Sequence, residues 1–287
     1  MKEIVVISGK GGTGKTSVTA SLAMLGLDNM IVADCDVDAA DMHLLMQPKQ
    51  SETSDFFSGV LAVIDQDKCI QCGKCAEICR WQAIPVIDSK YEVQALDCEG
   101  CGYCALVCPV QAIKMESQNV GDWIISDVKS STKMVHAKLH IGAENSGKLV
   151  AKVKNEAKAL AKSKGLDYVL VDGSPGIGCP VVSSLSGADL VVLVTEPSVS
   201  GIHDLKRVYQ LVKKFSIPAN CIINKADINE NKSKELKQFL AKEKIELLAE
   251  IPYDDNFTKA MTMGQTIVEY DPDGIGSIIK MCWNKIK

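Results

Sequence analysis

Apolar runs recur along this chain at 2–8 (KEIVVIS), 30–33, 168–171, 190–195, 221–223 and 247–251. Each is short for a helix and too continuous to set one wet face against one dry face, so each reads as a strand covered on both sides. Longer stretches of helical composition lie between them, among them 16–25, 149–163 and 202–215. Strands separated by helices in this way predict an α/β fold, a mostly parallel sheet with helices on both faces.

The stretch 65–115 breaks that rhythm. A shift of 29 residues superimposes Cys69, Cys72, Gly73, Cys75, Ala76, Cys79, Gln82, Ala83 and Ile84 on Cys98, Cys101, Gly102, Cys104, Ala105, Cys108, Gln111, Ala112 and Ile113. So many identities on one offset indicate a duplicated unit, with a helix expected after each cysteine run, ending at Ala83–Ile84 and Ala112–Ile113. The following stretch 116–148 is polar, with strands expected at 123–126 and 135–141 that return the chain to the sheet. The predicted organisation is an α/β domain made of 1–64 and 116–287, interrupted by a small α+β domain at 65–115.

With 46% apolar and 24% charged residues in 287, the chain is ordinary for a globular protein. A net charge of −4 lacks the broad basic surface on which many nucleic-acid binders rely, so no nucleic-acid partner is expected. No apolar stretch is long enough to cross a bilayer, and the first residues run straight into a strand without a signal-peptide pattern; the expected location is the cytoplasm. The stretch 274–287 (GIGSIIKMCWNKIK) places Ile275, Ile278, Ile279, Cys282 and Ile286 on one helical face. A last helix docked on the core is the default for such a stripe, and a basic membrane-surface tail is the alternative. Membrane contact is therefore not expected.

Eight of the twelve cysteines fall in CIQCGKCAEIC (69–79) and CEGCGYCALVC (98–108), while Cys35, Cys179, Cys221 and Cys282 are scattered. In a reducing compartment this distribution reads as metal ligation, not a disulfide framework. Tandem CxxCxxCxxxC runs have iron–sulfur cluster spacing; a pair of four-cysteine zinc sites is the competing reading, although zinc ribbons usually pair two CxxC units across a longer gap.

GKGGTGKT, 9–16, fits the pattern GxxxxGK(S/T), with a strand before it and a helix after. Gly9, Lys10, Gly11, Gly12, Thr13 and Gly14 form the loop whose backbone N–H groups turn onto phosphate oxygens. Lys15 reaches the terminal phosphates, Thr16 offers a hydroxyl to Mg²⁺, and Ser17 completes the nucleotide-binding set.

Lys10, directly after the first glycine, marks a resemblance to the deviant P-loop ATPases of the MinD, ParA and nitrogenase iron-protein class. That resemblance implies ATP and Mg²⁺ as ligands. It also implies a nucleotide-dependent homodimer, or a heterodimer with a related ATPase, in which Lys10 reaches the partner's nucleotide. IVADCDVDAADMH (31–43) resembles the family's first switch, which makes Asp36 the residue that orients the attacking water, with Asp38 a second choice. Asp34, Asp38 and Asp41 crowd the same loop, and some are expected to face solvent or cap the next helix. YVLVDGSPGIGCP (168–180) resembles the second switch, with Asp172 suited to a water-mediated Mg²⁺ contact or, on the plainer reading, to a helix cap. CIINKAD (221–227) resembles the base-recognition turn, which would set Asn224 on the adenine edge. Cys179 is expected to be a small buried residue at a helix start, and Cys35 a core residue at a strand end. The resemblance covers about 1–45 and 147–270.

The paired cysteine runs resemble bacterial two-cluster ferredoxins, in which each run gives three thiolates to one 4Fe–4S cluster and its fourth to the other. The resemblance implies two 4Fe–4S clusters, one on Cys69, Cys72, Cys75 and Cys108 and one on Cys98, Cys101, Cys104 and Cys79. Arg80 stands where the second run has Pro109. A MinD-superfamily ATPase with an inserted ferredoxin domain is thus expected to couple its nucleotide state to electron transfer with a redox or metal-centre partner protein. A cluster carrier or scaffold, and a positioning ATPase with structural or sensing clusters, are the rivals. The single cluster of the nitrogenase iron protein is held by cysteines placed differently, so nitrogenase-type reduction is not carried over.

Overall fold

A computed structural model describes every residue except Ala39, Ser130, Ser131 and Glu144, and omits the side chain of Gln50. The chain runs β1 (Lys2–Ile7), α1 (Lys15–Leu25), β2 (Met30–Asp34), α2 (Met42–Met46), β3 (Gln50–Ile64), α3 (Lys74–Ile78), β4 (Val86–Ile87), β5 (Lys90–Tyr91) and α4 (Tyr103–Val107). It continues through β6 (Ile113–Asp127), β7 (Lys133–Leu139), α5 (Ser146–Lys164), β8 (Tyr168–Asp172), α6 (Cys179–Leu185), β9 (Leu190–Thr195) and α7 (Val199–Lys214). The last elements are β10 (Ala219–Ile223), α8 (Glu230–Glu243), β11 (Glu246–Glu250), α9 (Asn256–Thr262), α10 (Ile267–Tyr270) and α11 (Ile275–Ile286).

Two compact units divide the chain: Met1–Ser54 with Asp122–Leu139 and Ser146–Lys287, and Asp55–Gly121 with His140–Asn145. Among the described residues the large sheet has the order β11-β10-β9-β1-β8-β2-β7-β6-β3, and its pairings from β11 to β7 are all parallel. Alternation along the strands explains the burial. Ile4, Val6, Val32, Leu170 and Val192 share one core with Val18 and Leu22 of α1 and Ile279 and Trp283 of α11. Their neighbours Val5, Ile7, Ile31, Val169, Val171 and Leu193 are equally buried but lie outside that cluster, on the face where α5 and α7 pack. Burying each such side chain is worth about 2 kcal/mol, which is why continuous apolar strands are stable only between two helical layers.

The last helix is docked: Ile275, Ile279, Cys282, Trp283 and Ile286 are buried, and Trp283 meets Tyr168 edge-on with ring centroids 5.4 Å apart. Among the described residues no helix is long and apolar enough to cross a membrane.

The smaller unit has a different core, Ala62, Cys75, Ile84, Cys104 and Ile113. The helices expected after the cysteine runs are instead inside them, as α3 and α4. The backbone explains the correction. Gly73 and Gly102 take φ of 78° and 75° and start each short helix, while left-handed Gln82 and Gln111, at φ 53° and 51°, turn the chain away after it. Ala83, Ile84, Ala112 and Ile113 are buried all the same, so the apolar cover comes from turning and extended chain.

Candidate functional site

The phosphate loop leaves β1 at Ser8 and enters α1 at Lys15, lining a cavity of about 660 Å³ with Gly11, Gly12, Thr13, Gly14, Lys15, Thr16 and Ser17. Gly12 and Gly14 have φ of 78° and 85°, a region that L side chains resist. A Cβ added at Gly11 or Gly12 would meet nothing within 4 Å, so the loop offers its bare backbone to the cavity. Gly9 is outside the lining and sits against the backbone of Asp204, where a Cβ would approach to 2.3 Å.

Asp172 is the hub. The sheet register sets it opposite Val6 of β1 and Asp34 of β2, at the carboxyl ends of three neighbouring strands. Fully buried, it accepts hydrogen bonds at Oδ2 from Lys15 Nζ (2.8 Å) and Thr16 Oγ1 (2.8 Å), and at Oδ1 from Thr19 Oγ1 (2.7 Å). Burial is the largest influence on the Lys15 ammonium and works against it, but the charge and hydrogen bond of Asp172 together with the charges of Asp36 and Asp34 outweigh it, and the lysine's pKa is raised. Asp36 lies on the cavity wall with Oδ2 3.6 Å from Lys15 Nζ, and burial raises its pKa.

Asp34 was grouped in the sequence with residues that face solvent or cap a helix, yet it is buried. Its Oδ1 accepts the Asp36 N–H (3.1 Å), and among the described residues its Oδ2 has no hydrogen-bond partner. Burial, then the adjoining Asp172 carboxylate, push its pKa up to about 8. Asp38 and Asp41 remain exposed on the cavity rim. The sequence signal for Asp34 was its place as the last residue of an apolar strand, beside the matching place of Asp172.

The two switch-like segments are stitched together by Ser174 Oγ donating to the Cys35 carbonyl (2.7 Å) and by the Cys35 N–H donating to the Asp172 carbonyl (2.8 Å). Cys35 is buried at the strand end. Cys179 is exposed, against expectation, because it is the first residue of α6, at a helix end instead of in the sheet core.

Lys10 is turned onto its own chain. Its Nζ lies 2.7 Å from Glu196 Oε1 and 2.9 Å from Ser200 Oγ, while Glu196 Oε2 holds Lys225 Nζ at 3.0 Å. Glu196 is a residue that motif reading passed over, although it directly follows β9 much as Asp172 ends β8. Asn224 is buried behind the loop, with Nδ2 donating to the Thr13 carbonyl (2.9 Å), and does not line the cavity.

The eight run cysteines ring two cavities in the smaller unit. One, of about 420 Å³, is lined by Cys98, Cys101, Cys104 and Cys79 together with Arg80, Trp81 and Met115. The other is lined by Cys69, Cys72, Cys75 and Cys108 with Ile64, Tyr91 and Ile113. Equivalent backbone N–H groups donate to sulfur in both halves of the repeat, Ala83 to Cys79 Sγ (3.4 Å) and Ala112 to Cys108 Sγ (3.3 Å). The thiols surround space: among the described residues no three His, Cys, Asp or Glu side chains gather closely enough to hold one metal ion.

Comparison with known proteins bears on both units. The 4Fe–4S dicluster domain family matches residues 62–115. An uncharacterised protein of Methanocaldococcus jannaschii is 35% identical over 232 residues, covering 79% of this chain and 79% of that one. The iron-sulfur cluster carrier protein of Pyrococcus horikoshii is 26% identical over 140 residues, 44% of this chain and 46% of its own. The solved structure of the septum site-determining protein MinD with Mg-ADP, from Pyrococcus horikoshii, superimposes with a TM-score of 0.60 at 20% identity, over 100% of this chain and 96% of that one. With glycine loop, carboxylate hub and paired cysteine cavities in one sequence, the chain belongs to the family of the Methanocaldococcus jannaschii protein and has the MinD/ParA-like P-loop ATPase fold together with a 4Fe–4S dicluster domain.

Proposed function

We propose that this protein binds and hydrolyses a nucleoside triphosphate, ATP on the strength of its family, and holds two 4Fe–4S clusters. Nucleotide-dependent pairing with a second ATPase chain then governs electron exchange between those clusters and a protein partner. The observation that carries the reading is that each cysteine cavity draws three thiols from one run and its fourth from the other. Shared ligation of this kind keeps two redox centres close together. The four thiols of each set fit an iron–sulfur cluster, which would supply one-electron chemistry when bound.

At the nucleotide site, the open faces of Gly11 and Gly12 and the unpartnered Thr13 Oγ1 and Asp34 Oδ2 suit a phosphate chain and its cation. Thr16 and Asp172 would hold Mg²⁺, Asp172 through water. Lys15 neutralises phosphate charge, Asp36 orients the attacking water, and Lys10 leaves Glu196 to stabilise charge on the partner chain's nucleotide. That last role resembles an arginine finger.

Anaerobic electron paramagnetic resonance of the dithionite-reduced protein, with and without Mg-ATP, tests the proposal alongside iron and sulfide analysis. Two interacting clusters whose signals change with nucleotide are expected. Clusters blind to nucleotide even with the partner present would overturn the coupling, and zinc in place of iron would overturn the redox reading. A carrier function is the second reading, favoured by the exposed Cys72 and Cys101 and by the cluster-carrier relative. It predicts clusters that leave on mixing with an apo-acceptor.

A further inference from the structure

Positions 29 apart take equivalent places in the two halves of the cysteine unit, so the halves can be compared residue by residue. Their four-thiol sets match, and so do the Ala83 and Ala112 N–H bonds to sulfur. The openings of the two cavities do not match. At the cavity of Cys98, Cys101, Cys104 and Cys79, Trp81 and Tyr103 line the wall with 45% and 50% of their surface exposed. Leu106, three residues after Tyr103 on the same face of α4, is 77% exposed. At the places of Tyr103 and Leu106, α3 has Lys74 and Glu77. The Cys69 cavity accordingly has Lys74 and Val110 where the Cys98 cavity has Tyr103 and Trp81. Among the described residues the Lys74 ammonium is the one charged group lining the Cys69 cavity, whereas the Cys98 cavity has one of each sign, Arg80 and Glu99.

Exposed aromatic and leucine side chains grouped at one opening mark an interaction site, and aromatic side chains are the commonest anchors of protein interfaces. Charge decides the kind of partner. Residues 55–121 carry nine acidic against five basic side chains, and thiolate-bound clusters add further negative charge. A basic partner is drawn to this unit, is repelled by Lys74 at the Cys69 opening, and meets balanced charge at the Cys98 opening. We propose that the Cys98 opening, with Trp81, Tyr103 and Leu106, is the port where a one-electron carrier protein with a basic contact face docks. The proposal rests on the electron-exchange reading above and adds to it the port and the charge of the partner. One electron passes at each encounter: the cluster site is oxidised by one, the carrier is reduced by one, and no bond forms or breaks. A low-potential one-electron donor refills the site.

Ferricytochrome c, a basic one-electron carrier, is the probe. The cluster-loaded full chain, reduced with dithionite and freed of the excess, is mixed with it anaerobically by stopped flow, and the rate is followed against cytochrome concentration and salt. The rate should fall as salt rises. Leu106→Lys is expected to raise the half-saturating cytochrome concentration about tenfold, the scale of one interface anchor lost, while Leu106→Met keeps the native value. Val86→Lys, which adds the same charge on β4 outside both cavities, should raise it far less. Iron content and magnetic resonance signals should stay native in all three. A rate that rises with salt, equal effects of Leu106→Lys and Val86→Lys, or a larger loss from Val110→Lys at the Cys69 opening overturns the port and leaves the two-cluster reading standing. Self-association of the native chain that Leu106→Lys abolishes would put a second copy on the patch and overturn it as well. Absence of any cluster that dithionite reduces overturns both.

Discussion

The nucleotide site and the cysteine cavities solve opposite problems. Around Asp172 the protein satisfies its own charges: lysine and two hydroxyls converge on one buried carboxylate, inside a sheet whose core is aliphatic on both faces. The smaller unit has only a handful of buried apolar residues, and Cys75 and Cys104 occupy places that aliphatic side chains take elsewhere. A core of that size gains little from burial alone, so metal ligation is expected to supply much of its folding energy. The difference is between a site whose charged groups satisfy one another and a unit whose thiols surround space.

The sharpest way to break that comparison is Lys10→Ala. Hydrolysis should fall on the order of 10³-fold, the scale of charge stabilisation in trans, with Mg-nucleotide binding and iron content preserved. Phosphate release measures it, and unchanged turnover would end the dimer mechanism. Next in size is Cys108→Ser, which should cost roughly half the iron, from the cavity of Cys69, Cys72 and Cys75, while nucleotide affinity holds. Iron analysis and magnetic resonance decide it; loss of the Cys98 cluster instead would mean that each run serves its own site.

Within the larger unit, Glu3 is buried in β1 against Lys154 (2.6 Å) and Lys158. Glu3→Gln leaves Lys154 buried without its counter-charge and should destabilise that unit by about 3 kcal/mol in denaturant titrations. An unchanged midpoint would show that Lys154 is carried by the carbonyls of Ser184 and Ser186 that it also meets. An effect of similar size, confined to acid pH, is expected at His136, which burial, and then His43, push down to about 4, with Ser126 Oγ 2.8 Å from its Nε2. Its folded state prefers the neutral ring, so its stabilisation is complete above pH 6.5 and is lost as pH falls towards 4. The loss should approach roughly 3 kcal/mol by pH 4 and be absent in His136→Gln, as read from thermal midpoints across that window.

Local chemistry was legible without coordinates. The glycine loop, its lysine and threonine, the buried strands and the repeated cysteine spacing are each written within a dozen residues, where steric preference and hydrophobic period act directly. The helices of the smaller unit were misplaced because left-handed Gln82 and Gln111 carry no residue-type signal for that backbone. Cys179 was misjudged because exposure depends on which side of the first α6 turn faces solvent.

By itself, then, the sequence determined the α/β class, the phosphate loop and the eight thiols. Only the tertiary structure decided that Asp34 would lie opposite Asp172, that Glu196 would take both Lys10 and Lys225, and that Asn224 would brace Thr13. The physical reason is distance along the chain. These pairings join residues more than a hundred positions apart in most cases, and parallel-strand register, set by burial of whole strands, brings them together at the carboxyl ends of the sheet.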